Sequence, residues 1–455
     1  MARTGMRVRQ RFDRRLIAPM VLGSALNPVN SSMLAVALVP IGIAFGAPPS
    51  ETAWLVTGLY LATAVGQPVI GRLVDAFGPR PLYLLGTGLV GVAGVLGVLA
   101  PRLWVLVLAR VLLGFGTSAA FPASMSLLRT EAERTGMASP AGVLATLSAS
   151  SQVISAIGPT LGGFLIGVGG WHLIFAINVP LSLACLALGW LWLPRTHRGG
   201  HHGIDVTGMA LFAAALTSLM LFLMLPGLTT LPLAVVAVGL AALFARRELG
   251  MASPFLDLRV LAGNRPLLLT YLRQVLSYIT AYAYLYGFTQ WLEHGRGLSP
   301  QGAGLAMLPM SGAAILATAV TGRSARVRGK LVVGGVVQVL ACLGLLVVDG
   351  SSPVWVLAGI GVLVGIPQGL NGLANQNALY AQADAERMGA SAGLLRTCTY
   401  LGALVSAAVT AAFFHNGAGT AGLHGMSWLL LGVAGLLVVV SLADRSLRRV
   451  GAPTA

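Results

Sequence analysis

The chain has 455 residues, of which 56% are hydrophobic and 9% charged, with a mean hydropathy of +0.83. A soluble domain carries about 25% charged residues, so a water-covered globular enzyme is excluded. Three cysteines cannot staple a secreted scaffold, and the apolar content excludes disorder. The net charge of +16 does not mark a nucleic-acid surface, because its arginines are scattered between apolar blocks as in the loops of a membrane protein.

In chain order, a basic tail (1–15, with arginines at 3, 7, 9, 11, 14 and 15) leads into apolar blocks. The first six lie at about 16–45, 52–74, 81–100, 103–128, 140–169 and 172–193. Two more follow at about 206–225 and 229–246. The last six lie at about 266–292, 300–321, 331–348, 353–379, 388–413 and 424–443. Unbroken blocks of roughly 20 residues match helices that cross a bilayer, where helices or closed barrels alone satisfy the backbone. The expectation is an all-α polytopic membrane protein with fourteen transmembrane helices.

With both termini on the cytoplasmic side, 24 of the 29 Lys+Arg residues fall in inner segments and only Arg102 and Arg296 in outer loops. That asymmetry requires an even number of spans. Arg110, Arg273 and Arg396 remain inside apolar blocks. Cys185, Cys342 and Cys398 also fall inside blocks and read as packing residues. His201-His202 reads as solvated loop, and no metal or cofactor site is expected.

A repeat is visible. Gly71-Arg72-Leu73-Val74-Asp75-Ala76-Phe77-Gly78-Pro79-Arg80 follows the second block. Gly322-Arg323-Ser324-Ala325-Arg326-Val327-Arg328-Gly329-Lys330 follows the tenth. The two loops correspond if the seventh and eighth blocks are an insertion. The chain then divides into a tail (1–15), a six-helix bundle (16–193), an inserted hairpin (206–246), a second six-helix bundle (266–443) and a second tail (444–455).

Gly71–Arg80 resembles the G-x-L-x-D-x-x-G-x-R signature of the major facilitator superfamily. Arg110, Gly114 and Gly116 are similar to its R-x-x-x-G-x-G stretch. Gly158-Pro159-Thr160-Leu161-Gly162-Gly163 resembles the core of the exporter motif. Trp171-His172-Leu173-Ile174-Phe175-Ala176-Ile177-Asn178-Val179-Pro180 resembles the W-x-x-I-F-x-I-N-x-P run of the fourteen-helix drug:proton antiporter group. The likeness continues through Pro254–Leu258 and Gly297–Gly304. It departs where the group carries an acid in span one: here Leu26 to Met33 contains no carboxylate. Ile154 and Leu113 also replace a glycine and a polar residue.

The resemblance implies two six-helix bundles around a cavity that opens alternately to either side, exporting small amphipathic compounds, with protons as coupling ion. It places conformational and coupling roles on Gly71, Arg72, Asp75, Gly78, Arg80, Arg110, Gly158, Pro159, Gly162 and Gly163. None of the 13 acidic residues sits mid-block, which weakens proton coupling and leaves Asp75, Glu51 and Glu293 as carriers near the cavity mouths.

The residues themselves suggest the cavity wall. Tyr271, Gln274, Tyr278, Tyr282 and Tyr286 form one stripe at helical spacing, and tyrosine suits amphipathic ligands. Gln368, Asn371 and Asn375 make a polar face in span twelve, and Asn27, Asn30 and Ser31 a patch in span one. Both stripes could equally be helix-packing surfaces. Arg396 is either a ligand contact or a structural bond. Arg110 is either a cavity-orienting charge or a backbone staple, and Arg273 reads as snorkelling toward headgroups.

Cations without a nearby acid disfavour strongly cationic ligands, so the expected substrates are neutral or anionic. No catalytic cluster and no G-x-x-x-x-G-K-[ST] loop is present, so neither an enzyme nor an ATP-driven pump is expected. The expected setting is a monomer in a bacterial inner membrane, with both termini cytoplasmic and no nucleic-acid partner. The alternatives are a dedicated exporter of one metabolite, peptide or lipid without proton coupling, and a non-transporting receptor or scaffold.

Overall fold

The computed structural model describes residues 12–448 and 450, except 35–36, 48, 136–140, 196–204, 225–226, 252–253, 257, 290, 299, 325 and 415–417. Most of the N-terminal tail, His201-His202, Asp257 and Ser299 lie outside the described residues.

Each predicted block is helical. The first bundle comprises α1 (Ile17–Leu34), α2 (Leu38–Phe45), α3 (Pro49–Phe77), α4 (Pro79–Val98), α5 (Leu103–Thr117), α6 (Ala120–Thr135), α7 (Ala141–Gly169), α8 (His172–Ala176) and α9 (Asn178–Trp192). The hairpin is α10 (Val206–Met224) and α11 (Leu231–Gly250). After the short α12 (Leu258–Gly263) come α13 (Arg265–Ala283), α14 (Pro300–Thr321), α15 (Val327–Leu346), α16 (Val354–Gln382), α17 (Met388–Phe413) and α18 (Thr420–Ala443). Among the described residues, nine helices are long and apolar enough to cross a membrane.

Local chemistry sets the boundaries. Gly78 adopts φ +89°, which L side chains avoid, and Pro79 opens α4 in the first-turn position that needs no N–H. Asn264 caps α13, its side-chain oxygen accepting from the Leu267 N–H at 3.2 Å. Beyond Ala283 the ninth block widens into π-type turns over Tyr284–Phe288 and Trp291–Gly295.

Two apolar cores result. One is built mainly from Leu16 to Leu193, the other from Ile279 to Ala434. The first core also takes in Leu373, Tyr380, Met388 and Leu395 from α16 and α17. The bundles therefore share a core at the end of the molecule where α1 begins and α18 finishes. The hairpin packs beside this seam, with Leu216 and Met220 against Ala64 and Val65 of α3 and Tyr400 and Leu404 of α17. Its other helix leaves Val235, Val238 and Leu243 exposed, a surface suited to lipid.

Candidate functional site

At the terminal end, α3 and α17 cross backbone against backbone. A Cβ on Gly71 would strike the Gly389 carbonyl, and one on Gly393 would strike Gln67. Only this close approach lets Asp75 reach the start of α17. Its two carboxylate oxygens accept from the Gly389 N–H at 2.8 Å and the Ala390 N–H at 2.9 Å. A carboxylate here meets free N–H groups and the positive end of the helix dipole. Asp75 thus caps a helix of the opposite bundle, a latch-like contact between the two halves. Arg72 lies within electrostatic reach of Asp75 and Arg387. Arg80 turns away, donating to the Trp190 carbonyl at 2.8 Å and lying over its ring at 5.2 Å.

Further contacts close the same end. The Tyr380 hydroxyl meets the Leu128 carbonyl at 3.5 Å and its ring faces the Arg129 guanidinium at 5.6 Å. Gly322, just after α14, packs on Ala145 of α7, and Ser148 donates to Gln376 at 2.6 Å. Toward the opposite end, α7 and α14 leave Phe164 and Leu305 exposed.

Above the latch, between the bundles, lies a cleft of about 130 Å³. From the first bundle it is lined by Asn27, Pro28, Ser31, Tyr60, Ser148, Ser151 and Ser155. Tyr278, Tyr282, Gln368, Gly372, Leu373, Gln376, Arg396, Thr399 and Tyr400 complete the wall. The tyrosines form a continuous aromatic surface: ring centres of Tyr278 and Tyr282 are 5.9 Å apart, Tyr282 and Tyr286 5.8 Å, and Tyr60 and Tyr400 5.6 Å. The Tyr60 and Tyr286 hydroxyls meet at 3.4 Å, and the Tyr400 hydroxyl donates to Asn27 across the bundles at 3.2 Å. Arg396 is half-buried, its guanidinium 4.2 Å from the Phe121 ring centre, a cation–π contact. No carboxylate lines the cleft among the described residues. Its volume is below the roughly 300–1,000 Å³ of a drug-sized pocket, so the bundles must move apart to admit such a guest.

The family model of the Major Facilitator Superfamily matches residues 20–407. The chain belongs to the major facilitator superfamily. It is 33% identical to the uncharacterized MFS-type transporter YwoD of Bacillus subtilis, covering 92% of this chain and 95% of that protein. It is 28% identical to the multidrug efflux pump LfrA of Mycolicibacterium smegmatis, covering 88% of this chain and 80% of LfrA. It is 27% identical to the methylenomycin A resistance protein of Streptomyces coelicolor, covering 92% and 90%. The crystal structure of the human organic anion transporter MFSD10 matches the fold with a TM-score of 0.68 at 15% identity, over 94% of this chain and all of that one. The protein is a membrane transporter of this superfamily, not an enzyme.

On the superfamily fold, the remaining predicted residues separate by environment. Arg110 is fully buried and donates to the Leu55 carbonyl and the Asn30 carbonyl, both at 3.0 Å, stapling α5 to α3 and α1. Asn30 is not in the cleft. It forms a reciprocal amide pair with Asn178, at 2.6 and 2.9 Å, so the Asn of the W-x-x-I-F-x-I-N-x-P run ties α9 to α1. Gln274 also leaves the cleft to bond Thr399 and Asn375, at 2.8 and 3.0 Å. Asn371 turns to Gln338 at 3.4 Å. The Tyr271 hydroxyl donates to the Ser391 carbonyl at 3.1 Å, below the cleft.

Arg273 does not snorkel. It is fully buried and bonds Asp444 at 2.7 Å and Thr270 at 2.6 Å. The sequence placed Asp444 in the second tail, and separation in the chain hid the pair. In α7, Gly158 packs on Ser32 of α1, Gly162 is buried, Gly163 meets open space, and Pro159 lies within the continuous helix.

Ser148, Ser151 and Ser155 were the cleft residues hardest to find. They lie on one face at i, i+3 and i+7, but serine in a helix usually bonds its own backbone and gives a weak signal.

Proposed function

We propose that this transporter exports small neutral or anionic amphipathic compounds across a bacterial inner membrane by alternating access, driven by proton antiport. The observation that carries the reading is the cleft itself: among the described residues it has an aromatic wall, neutral polar groups and one arginine, without a facing acid. At an effective dielectric near 20, a cation roughly 6 Å from Arg396 is opposed by about 3 kcal/mol, or about a hundredfold in affinity. Bacterial relatives named for drug efflux and antibiotic resistance support an export role. The arginine-rich end is read as cytoplasmic, which makes the described state closed to the cytoplasm.

In this reading Asp75 is the coupling acid. Its charge holds the start of α17, so a proton on it weakens the latch and favours opening to the cytoplasm, where substrate loads. Release of the proton restores the cap and closes that side. A dedicated exporter without proton coupling is the second reading, favoured by the lack of a carboxylate in the described cleft wall.

Transport in proteoliposomes under an imposed pH gradient, comparing the native protein with Asp75→Asn, tests the proposal. Gradient-dependent transport that falls about tenfold in Asp75→Asn supports it. Transport that ignores the gradient moves the protein to the second reading.

A further inference from the structure

The inserted hairpin holds two carboxyl groups that the cleft and the latch do not use. Asp205 stands just before α10. Its Oδ1 accepts from the Gly208 N–H at 2.8 Å and from Arg247 Nη2 at 2.9 Å. Glu248 lies at the polar end of α11, and its Oε2 accepts from the Leu256 N–H at 2.8 Å. Both residues are buried, at 6% and 2% exposure.

Their second oxygens, Asp205 Oδ2 and Glu248 Oε1, have no hydrogen-bond donor among the described residues. Both oxygens occupy the space beside Gly208 where any other residue would carry its Cβ. The walls are apolar: Met209, Phe244, Phe255 and Leu256 cluster there, with Phe212 against them. Two anionic oxygens meeting in such a place repel each other and lack donors. One proton between them removes both penalties.

We propose that Asp205 and Glu248 form a proton-binding site that holds one shared proton between Asp205 Oδ2 and Glu248 Oε1. The charged groups around it agree with single occupancy. Arg247, on the same helix as Glu248, is bonded to Asp205. From α3, Arg72 lies within electrostatic reach of Glu248 and also of Asp75 and Arg387. From α12, Arg259 bonds the Leu249 carbonyl instead. The two carboxyls consequently split. Burial opposes ionisation of Asp205, but the bonds from Arg247 and Gly208 outweigh it and hold this carboxyl below its usual range. Burial, reinforced by the hydrogen bond and charge of Asp205, pushes Glu248 up to about 7. The site therefore fills and empties near neutral pH.

Its position gives the proton a consequence. Glu248 fixes Leu256, and Phe255 and Leu256 share a small pocket with Arg72, Asp384 and Arg387 beside the latch. Ionisation of Glu248 adds a negative charge within reach of the arginine that also faces Asp75. The hairpin is thereby a pH sensor for the gate, whether or not protons drive transport.

Infrared titration of the reconstituted protein tests this without any transport assay. Glu248→Gln keeps an acceptor for Leu256 and places an amide N–H where the proton sits, so the fold is retained. The native protein should show a protonated-carboxyl band that disappears through about pH 7. The band should be absent in Glu248→Gln and present in Asp75→Asn. In Asp205→Asn it should titrate at lower pH, with proton affinity down about tenfold or more, one pH unit being a factor of ten. Absence of the band in the native protein, or its persistence in Glu248→Gln, would overturn the proposal.

Discussion

Arg110 and Arg396 both sit inside apolar helices, yet their surroundings assign them opposite work. Arg110 is fully buried and bonded to the Leu55 and Asn30 carbonyls inside the first bundle. Arg396 lies on the seam, half-buried in the cleft, with the face of Phe121 beneath it. In the proposed cycle the first is a fastener within one bundle, and the second a charge held where the two bundles would part. A buried arginine is therefore functional or structural according to what consumes its donors, and the residue type alone does not decide.

The largest effect should come from breaking the fastener. Arg110→Ala removes two buried hydrogen bonds from a charged group, each worth about 1.5–3 kcal/mol, and thermal unfolding in detergent should show a strongly destabilised protein. Arg110→Lys should recover only part of the loss, because an ammonium cannot reproduce the fork. Arg396→Gln should leave the unfolding temperature nearly unchanged while reducing transport of anionic substrates. Equal destabilisation by both variants would erase the contrast.

The latch comes next. Gly389→Leu pushes a side chain into the Gly71 carbonyl and Asp75, so distance measurements between spin labels on α3 and α17 should show the end that carries Asp75 held open. Asp75→Asn keeps the shape but removes the charge. Losing that interaction is worth about 1–3 kcal/mol, enough to shift the ratio of open to closed states by roughly ten- to a hundredfold.

The smallest effect concerns the hairpin. Glu248 binds a proton more tightly in the folded state than its ordinary value of 4.5. Stability from this group is full below that value and is lost as pH rises through about 7. Relative to Glu248→Gln, the native unfolding temperature should fall by about one to three degrees between pH 5 and 8. No relative change would detach the carboxyl pair from pH.

Much of this architecture is legible in the sequence because a bilayer imposes length and polarity on every helix. Block lengths marked where the helices lie. Asp75 was also readable as a member of the signature loop, but its partners were not. They are the backbone N–H groups of Gly389 and Ala390, and a backbone donor has no residue signature. Periodicity likewise showed that span twelve turns a polar face inward. It could not say toward what: Gln368 reaches the cleft, whereas Asn371 and Asn375 are consumed by Gln338 and Gln274. The aromatic stripe divides the same way, with Tyr278 and Tyr282 in the cleft and Tyr271 below it. A helix with several buried neighbours presents several inward surfaces, and only the packed structure distinguishes them.

The most direct measurement is transport of a matched set of amphipathic compounds, one anionic, one neutral and one dicationic, by native protein and Arg396→Gln in proteoliposomes. The account predicts that the native protein moves the anionic and neutral compounds and rejects the dication, and that the variant loses its advantage for the anion. Preferential transport of the dication by the native protein, or a charge preference untouched by Arg396→Gln, would contradict it.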